Sequence, residues 1–323
     1  MSTEGGMKAV LAALAANLGI AVAKFVAFLL TQSSSMLAEA IHSLADSGNQ
    51  VLLLVGNKRS KQTRTATHQF GYGRRRYIYG FIVAIVLFLV GGLFSLYEGI
   101  HKVQHPEPLN DAGIAFAVLL IAIVLEAFSL RTAVRESNRA RGKRSLPRFI
   151  RDTRNPELPV ILLEDTGALL GLVFALIGIT LAVVTGNGAF DGIGAMAVGT
   201  LLVVIAIFLA MEMTSMLTGE SALPEEDAAI TAAIEATPGV ERMIHQRTLH
   251  VGPDEILVAA KIAVPAASSA AEVAGVIDAA EVAIRAQIPD KECVIYLEPD
   301  IYDADHPDPA TETSGHGDTT DPP

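Results

Sequence analysis

The sequence predicts an α-helical membrane protein of six spans followed by a small C-terminal α+β domain. Three observations point there. Hydrophobic residues make up 51% of the 323-residue chain and charged residues only 18%, where a soluble chain carries about 25% charge. The apolar residues gather into six blocks, all before residue 220, each meeting the roughly 20 residues needed for one crossing. The charge divides at the same point. Residues 1–219 hold 19 Lys and Arg against 14 Asp and Glu, whereas residues 220–323 hold 5 against 21, an asymmetry that marks a domain boundary. A purely soluble enzyme is excluded. The single cysteine, Cys293, excludes a disulfide scaffold, a CxxC redox pair and a thiolate zinc site.

The spans are expected at 7–30, 34–56, 77–98, 111–131, 159–184 and 192–217. The first has an apolar run of about 22 residues, longer than the roughly 7–15 of a signal-peptide core, and no small-x-small cleavage site ends it. It reads as an uncleaved span. The connections after spans 2 and 4 hold 16 of the 24 basic residues, including Arg74, Arg75 and Arg76 in one and Arg139, Arg141 and Arg144 in the other. The connections 31–33, 99–110 and 185–191 hold only Lys102. The positive-inside rule then puts both termini in the cytoplasm of a multi-pass protein of the cell membrane. Because that rule already explains the basic runs, they give no reason to invoke nucleic acid.

Residues 220–303 are expected as a cytoplasmic module. Pro224 suits a first helical turn, with Glu225, Glu226 and Asp227 near the positive end of the dipole. A helix over 224–236 leads to strands Met243–Val251 and Glu255–Val264 around the turn Gly252-Pro253-Asp254, then a helix over 269–287 and a strand Cys293–Leu297. The order αββαβ makes three strands backed by two helices. This is near the minimum for an independent core, so pairing with a second copy is expected. Residues 304–323, acidic and rich in Pro, Gly and Thr, are expected as a disordered tail.

Functional expectation comes from ionisable groups inside apolar spans, which cost a few kcal/mol on insertion scales. In span 2, Glu39, His42, Asp46 and Asn49 fall within an arc of roughly 80° at 100° per residue. An imidazole and a carboxylate at i and i+4 can hold one cation between them. Span 5 carries Glu164 and Asp165 in an apolar run. Their directions diverge by about 100°, so one points at a shared site and the other lines its edge or an access path. A histidine with two or three carboxylates suits a borderline dication such as Zn²⁺ better than Mg²⁺. The alternative is a buried hydrogen-bond network that only locks the spans together. Asn17 and Lys24 in span 1, Glu126 in span 4 and Glu212 in span 6 either make polar contacts or snorkel, with Asn17 and Glu126 as further ligand candidates and Glu126 as a candidate for proton movement. His245 and His250 read as surface or core histidines.

At these residues the chain resembles the cation diffusion facilitator family of proton-coupled divalent-metal exporters, over about Met7 to Asp303. The segment Ser33–Asp46, ending Glu39-Ala-Ile-His42-Ser-Leu-Ala-Asp46, is similar to the family's second-span HxxxD or DxxxD signature. His68-Gln-Phe-Gly-Tyr-Gly-Arg-Arg-Arg-Tyr77 resembles the motif that opens the third span, and Leu217-Thr-Gly-Glu220-Ser resembles the end of the sixth. His250-Val-Gly-Pro253 and the αββαβ order resemble the family's ferredoxin-like dimerisation domain. The resemblance implies a homodimer working by alternating access, with Zn²⁺ leaving the cytoplasm against protons, and Mn²⁺, Co²⁺, Cd²⁺ or Fe²⁺ as other cargoes. It implies no enzymatic reaction and no permanently bound cofactor. Binding a dication displaces protons from His42, Asp46 and Asp165, so metal and proton movement are coupled. No GxxxxGK[ST] nucleotide loop is present, consistent with secondary transport.

The sequence departs from the family in two places. The family's fifth span carries its own HxxxD or DxxxD. Asp165 matches the aspartate, but Ile161 stands at the first position and cannot ligate. The Leu163-Glu164-Asp165-Thr166 pattern is similar to the branch containing the mitochondrial zinc transporters of animals, which leaves two arrangements: three protein ligands plus water, or a set completed by Glu164. Ala260 and Tyr296 stand where relatives place cytoplasmic metal-binding histidines, so no cytoplasmic metal site is carried over. Two other readings stay open: a non-transporting sensor or scaffold, which Ile161 favours, and a membrane-embedded zinc hydrolase, which would need an open metal position beside a substrate groove.

Overall fold

A computed structural model describes residues 3–109 and 111–303, with side chains at position 14 and from position 17 onward. The acidic tail expected at 304–323 lies outside the described residues. Two units separate: Met1–Gln62 with Arg75–Thr214, and Thr63–Arg74 with Ser215–Pro323.

The first unit is helical. It contains α1 (Thr3–Thr31), α2 (Ser34–Ser60), α3 (Arg75–Val86), α4 (Phe94–Gln104), α5 (Ala112–Ala140), α6 (Leu146–Asp152), α7 (Glu157–Thr185) and α8 (Ala189–Thr218). A π-helical segment, Leu87–Leu93, joins α3 to α4 into one rod over Arg75–Gln104. This rod, α5, α7 and α8 are each long and apolar enough to cross a membrane. In α1 the described apolar stretch is Asn17–Thr31. The 27 residues of α2 have the length of a span, but the polar face lowers their apolarity.

The helix that holds the expected fourth span, 111–131, runs on to Ala140 and carries Arg131, Arg135 and Arg139 with it. Part of the connection that follows is itself helical: α6 starts after Ser145 with Pro147 in its first turn, a position where the missing N–H costs nothing.

The helices meet through small residues. A Cβ on Gly99 of α4 would lie 2.6 Å from the Gly192 carbonyl oxygen, and one on Gly178 of α7 would lie 3.0 Å from the Gly194 Cα. These contacts let α8 lie close against both helices. One cluster of buried residues joins Leu53, Val83, Leu87, Val160, Leu202 and Leu209, and a second joins Ala27, Met36, Leu119, Leu172 and Ile179.

The α1–α2 corner is pinned to α8 by Asp191, whose side chain is wholly buried. Its carboxylate accepts from Ser33 Oγ (2.7 Å), Ser34 N (2.7 Å) and Ser35 N (3.2 Å). A carboxylate there meets both the free amides and the positive dipole of the α2 N-terminus. Nearby, Glu98 accepts from Ser34 Oγ at 3.0 Å and Lys102 donates to the Gln32 carbonyl at 3.1 Å.

The second unit holds α9 (Pro224–Glu235), β1 (Arg242–Gly252), β2 (Glu255–Ala263), α10 (Ala270–Gln287) and β3 (Glu292–Asp300). The order αββαβ is as expected, with β3 three residues longer at its end. The sheet order is β1-β2-β3, with β1 and β2 antiparallel and β2 and β3 parallel. The parallel pair follows from the crossover through α10. Along β2, Ile256, Val258, Ala260 and Ile262 are buried in alternation and pack with Ile230 and Ile234 of α9 and Ile284 of α10. A capping box starts α10: Ser269 Oγ accepts from Glu272 N at 3.3 Å, and Glu272 accepts from Ser269 N at 2.7 Å. The segment 63–74 belongs to this unit, where Arg64 donates to Glu255 and, at 2.6 Å, to Glu292.

Candidate metal centre

The polar face of α2 turns inward. Glu39, His42 and Asn49 are fully buried. His42 Nε2 lies 3.5 Å from Asp46 Oδ2, as the i, i+4 spacing requires. Neither ring nitrogen of His42 has a hydrogen-bond partner, nor does Asp46 Oδ1. Buried polar atoms are normally paired, so these three are suited to a ligand. The Nδ1 edge of His42 faces the π-helical segment, where a Cβ on Gly91 would approach it to 3.8 Å. Such π segments recur at functional sites.

Across from α2, α7 presents Glu164 and Asp165. Asn49 Nδ2 donates to Glu164 Oε1 at 2.7 Å, and Ser129 Oγ of α5 donates to Asp165 Oδ2 at 2.9 Å. Asp46, Glu126, Glu164 and Asp165 line one cavity of about 20 Å³, together with Asn17, Ser43, Gln50 and Ile161. That is room for one water-sized occupant. Four carboxylate residues from α2, α5 and α7 therefore border one small space.

Among the candidate residues, Asp46, Glu126, Glu164, Asp165 and Asn17 share the cavity. His42 stands one turn from it, against Asp46. Asn49 reaches it through Glu164. Glu39 is engaged elsewhere, by Lys24 Nζ at 3.0 Å. Lys24 is wholly buried and does not snorkel. Among the described residues no three His, Cys, Asp or Glu side chains are drawn together closely enough to hold a metal as they stand. Ser43, Gln50 and Ser129 belong to the site and carry no sequence signal beyond sharing a helix face with a charged candidate. In the second unit, Ala260 is buried and Tyr296 is 60% exposed. His250 is buried with Nε2 3.9 Å from Glu226.

Residues 10–218 match the model for the cation efflux transmembrane domain, and residues 223–300 match that for the cation efflux protein cytoplasmic domain. The chain belongs to the cation efflux family. Members are membrane transporters and not enzymes. The chain is 38% identical over 244 residues to the human mitochondrial proton-coupled zinc antiporter SLC30A9, covering 75% of this chain and 43% of that protein. Metal tolerance protein C4 of Arabidopsis thaliana is 26% identical over 266 residues, covering 81% and 58%. The cation-efflux pump FieF of Pectobacterium atrosepticum is 25% identical over 296 residues, covering 90% and 92%. The chain thus spans less than half the length of the SLC30A9 relative and nearly all of the bacterial pump.

Proposed function

We propose that the chain is a secondary-active transporter that exports Zn²⁺ from the cytoplasm in exchange for protons, with its site formed by His42, Asp46, Glu164 and Asp165. The observation that carries this is that Asp46, Glu164 and Asp165 line one water-sized cavity beside a buried imidazole, His42, whose nitrogens make no hydrogen bond and which lies against Asp46. The set of one nitrogen and several carboxylate oxygens suits Zn²⁺, and SLC30A9 carries zinc antiport in its name. Mn²⁺, Co²⁺, Cd²⁺ and Fe²⁺ are the competing cargoes. Glu39, Asn49, Asn17 and Glu126 are secondary members: Asn49 holds Glu164, and Glu126 offers a proton route at the edge of the cavity.

Ligand closure exchanges the Asn49–Glu164 and Ser129–Asp165 hydrogen bonds for bonds to the metal. Because ligands bind as the deprotonated groups, zinc arrival expels protons, and protonation from the far side expels zinc. The domains follow the same reading: six spans over residues 1–219 and a cytoplasmic dimerisation module over 220–303, pairing two copies. The basic connections support a cell-membrane protein with both termini cytoplasmic, while the name of SLC30A9 raises a mitochondrial membrane as the alternative. A second reading, a metal-binding sensor or scaffold without flux, is favoured by Ile161, which lines the cavity with no donor atom.

Calorimetric zinc titration of the purified protein in two buffers of different ionisation enthalpy tests the coupling. Proton release on binding, lost in Asp46→Ala, is expected. Binding without proton release contradicts the antiport reading.

A further inference from the structure

Glu39, a secondary member of the site, is held in a buried ion pair with Lys24. Lys24 extends from α1, where its neighbours Val22, Phe25 and Val26 are exposed at 57%, 44% and 47%. Its own side chain is wholly buried, and Nζ donates to Glu39 Oε2 at 3.0 Å and Ser43 Oγ at 2.7 Å. A charge kept inside a membrane span is rare and calls for a partner and a reason. Ser43 is also a wall of the cavity, next to Asp46, so the ammonium group stands one side chain from the space an ion would take. From α7, Gly171 closes over the pair: a Cβ there would lie 2.6 Å from Glu39 Oε1, the oxygen left without a hydrogen bond.

The charge balance is lopsided without this lysine. The cavity wall carries Asp46, Glu126, Glu164 and Asp165 and, among the described residues, no Lys or Arg. Glu39 lies on the same α2 face as His42 and Asp46, outside the cavity lining, and a free Glu39 would add negative charge beside it. A carrier must release its cargo, and a site that gathers every available carboxylate holds a dication too long.

We propose that Lys24 is a resident countercation that sets the cavity's affinity for its divalent cargo, withholding Glu39 from the metal and offsetting its charge. This rests on the transport reading and adds a positioning residue to it.

Zinc titration of the full chain in detergent, with zinc uptake by proteoliposomes, tests it. Lys24→Met should bind zinc about tenfold tighter or more, the effect of one uncompensated charge at close range in a low-dielectric site, with slower uptake at saturating zinc. Glu39→Gln, which leaves the lysine unbalanced, should bind more weakly. The double variant Lys24→Met with Glu39→Gln should return to within about threefold of wild type, and Lys24→Arg should match it. A purely structural pair would lower stability in both single variants without opposite changes in affinity. Affinities unchanged, or changed in the same sense, in Lys24→Met and Glu39→Gln would overturn the proposal. If Lys24→Met does not fold, Glu39→Gln decides: weaker zinc binding, restored to within about threefold in the double variant, supports the proposal, and unchanged or tighter binding overturns it. A wild-type chain that binds no zinc would overturn the transport reading itself.

Discussion

Asn49 of α2 donates a 2.7 Å hydrogen bond to Glu164 of α7, joining the two helices that supply the candidate ligands. With Asn49→Ala the buried Glu164 carboxylate loses its partner, which costs about 1–3 kcal/mol. The melting temperature of the metal-free protein should fall. Zinc should restore more stability than it adds to wild type, because the metal takes over the orphaned carboxylate. Equal zinc-induced shifts in the two proteins would mean that Glu164 does not meet the metal.

Ile161 and Asp165 line the cavity together, one helical turn apart. Ile161→His therefore supplies an imidazole where the wall is apolar. Zinc binding should tighten by about tenfold, or about 1.4 kcal/mol. An unchanged dissociation constant would show that the position does not face the ion.

Asp46→Ala removes the carboxylate that links His42 to the cavity. Transport should be abolished while expression and dimerisation stay near wild type. Aggregation or loss of the dimer would instead favour a network that serves only to lock the spans.

In the cytoplasmic module, partial burial alone would push Glu226 up, but the Lys291 ammonium at 2.6 Å and the Leu223 amide hold it below the ordinary glutamate range. A depressed carboxylate contributes stability above the unfolded value of about 4.3 and loses it as pH falls through the folded value. Lys291→Met should therefore destabilise the module at neutral pH by about 1 kcal/mol, since both side chains keep some solvent contact. The difference should vanish under acid. Hydrogen exchange at the α9 amides reads it, and a pH-independent difference would point to lost packing.

The polar face of α2 is legible in the sequence because the 3.6-residue period alone aligns Glu39, His42, Asp46 and Asn49. The αββαβ module is legible too, since Ile256, Val258, Ala260 and Ile262 alternate and Gly252-Pro253-Asp254 marks the turn. Partners across helices are not. Nothing local says that Lys24 meets Glu39, that Ser129 meets Asp165, or that Asp191 caps the turn at Ser33–Ser35, because these depend on which helix faces which. The π-helical segment Leu87–Leu93 is likewise hidden: its residues read as ordinary apolar span. The helical end of α5 past residue 131 looks like a loop by its charge, although Arg is a good helix former.

Zinc uptake into proteoliposomes under an imposed pH gradient, comparing wild type with Asp165→Ala, tests antiport through the α2–α7 site most directly. Uptake that follows the gradient and disappears in the variant is the predicted result, with Mn²⁺, Co²⁺, Cd²⁺ and Fe²⁺ as competitors ranking the cargo. Zinc binding with no flux of any metal in wild type, or gradient-driven flux undiminished in Asp165→Ala, would contradict it.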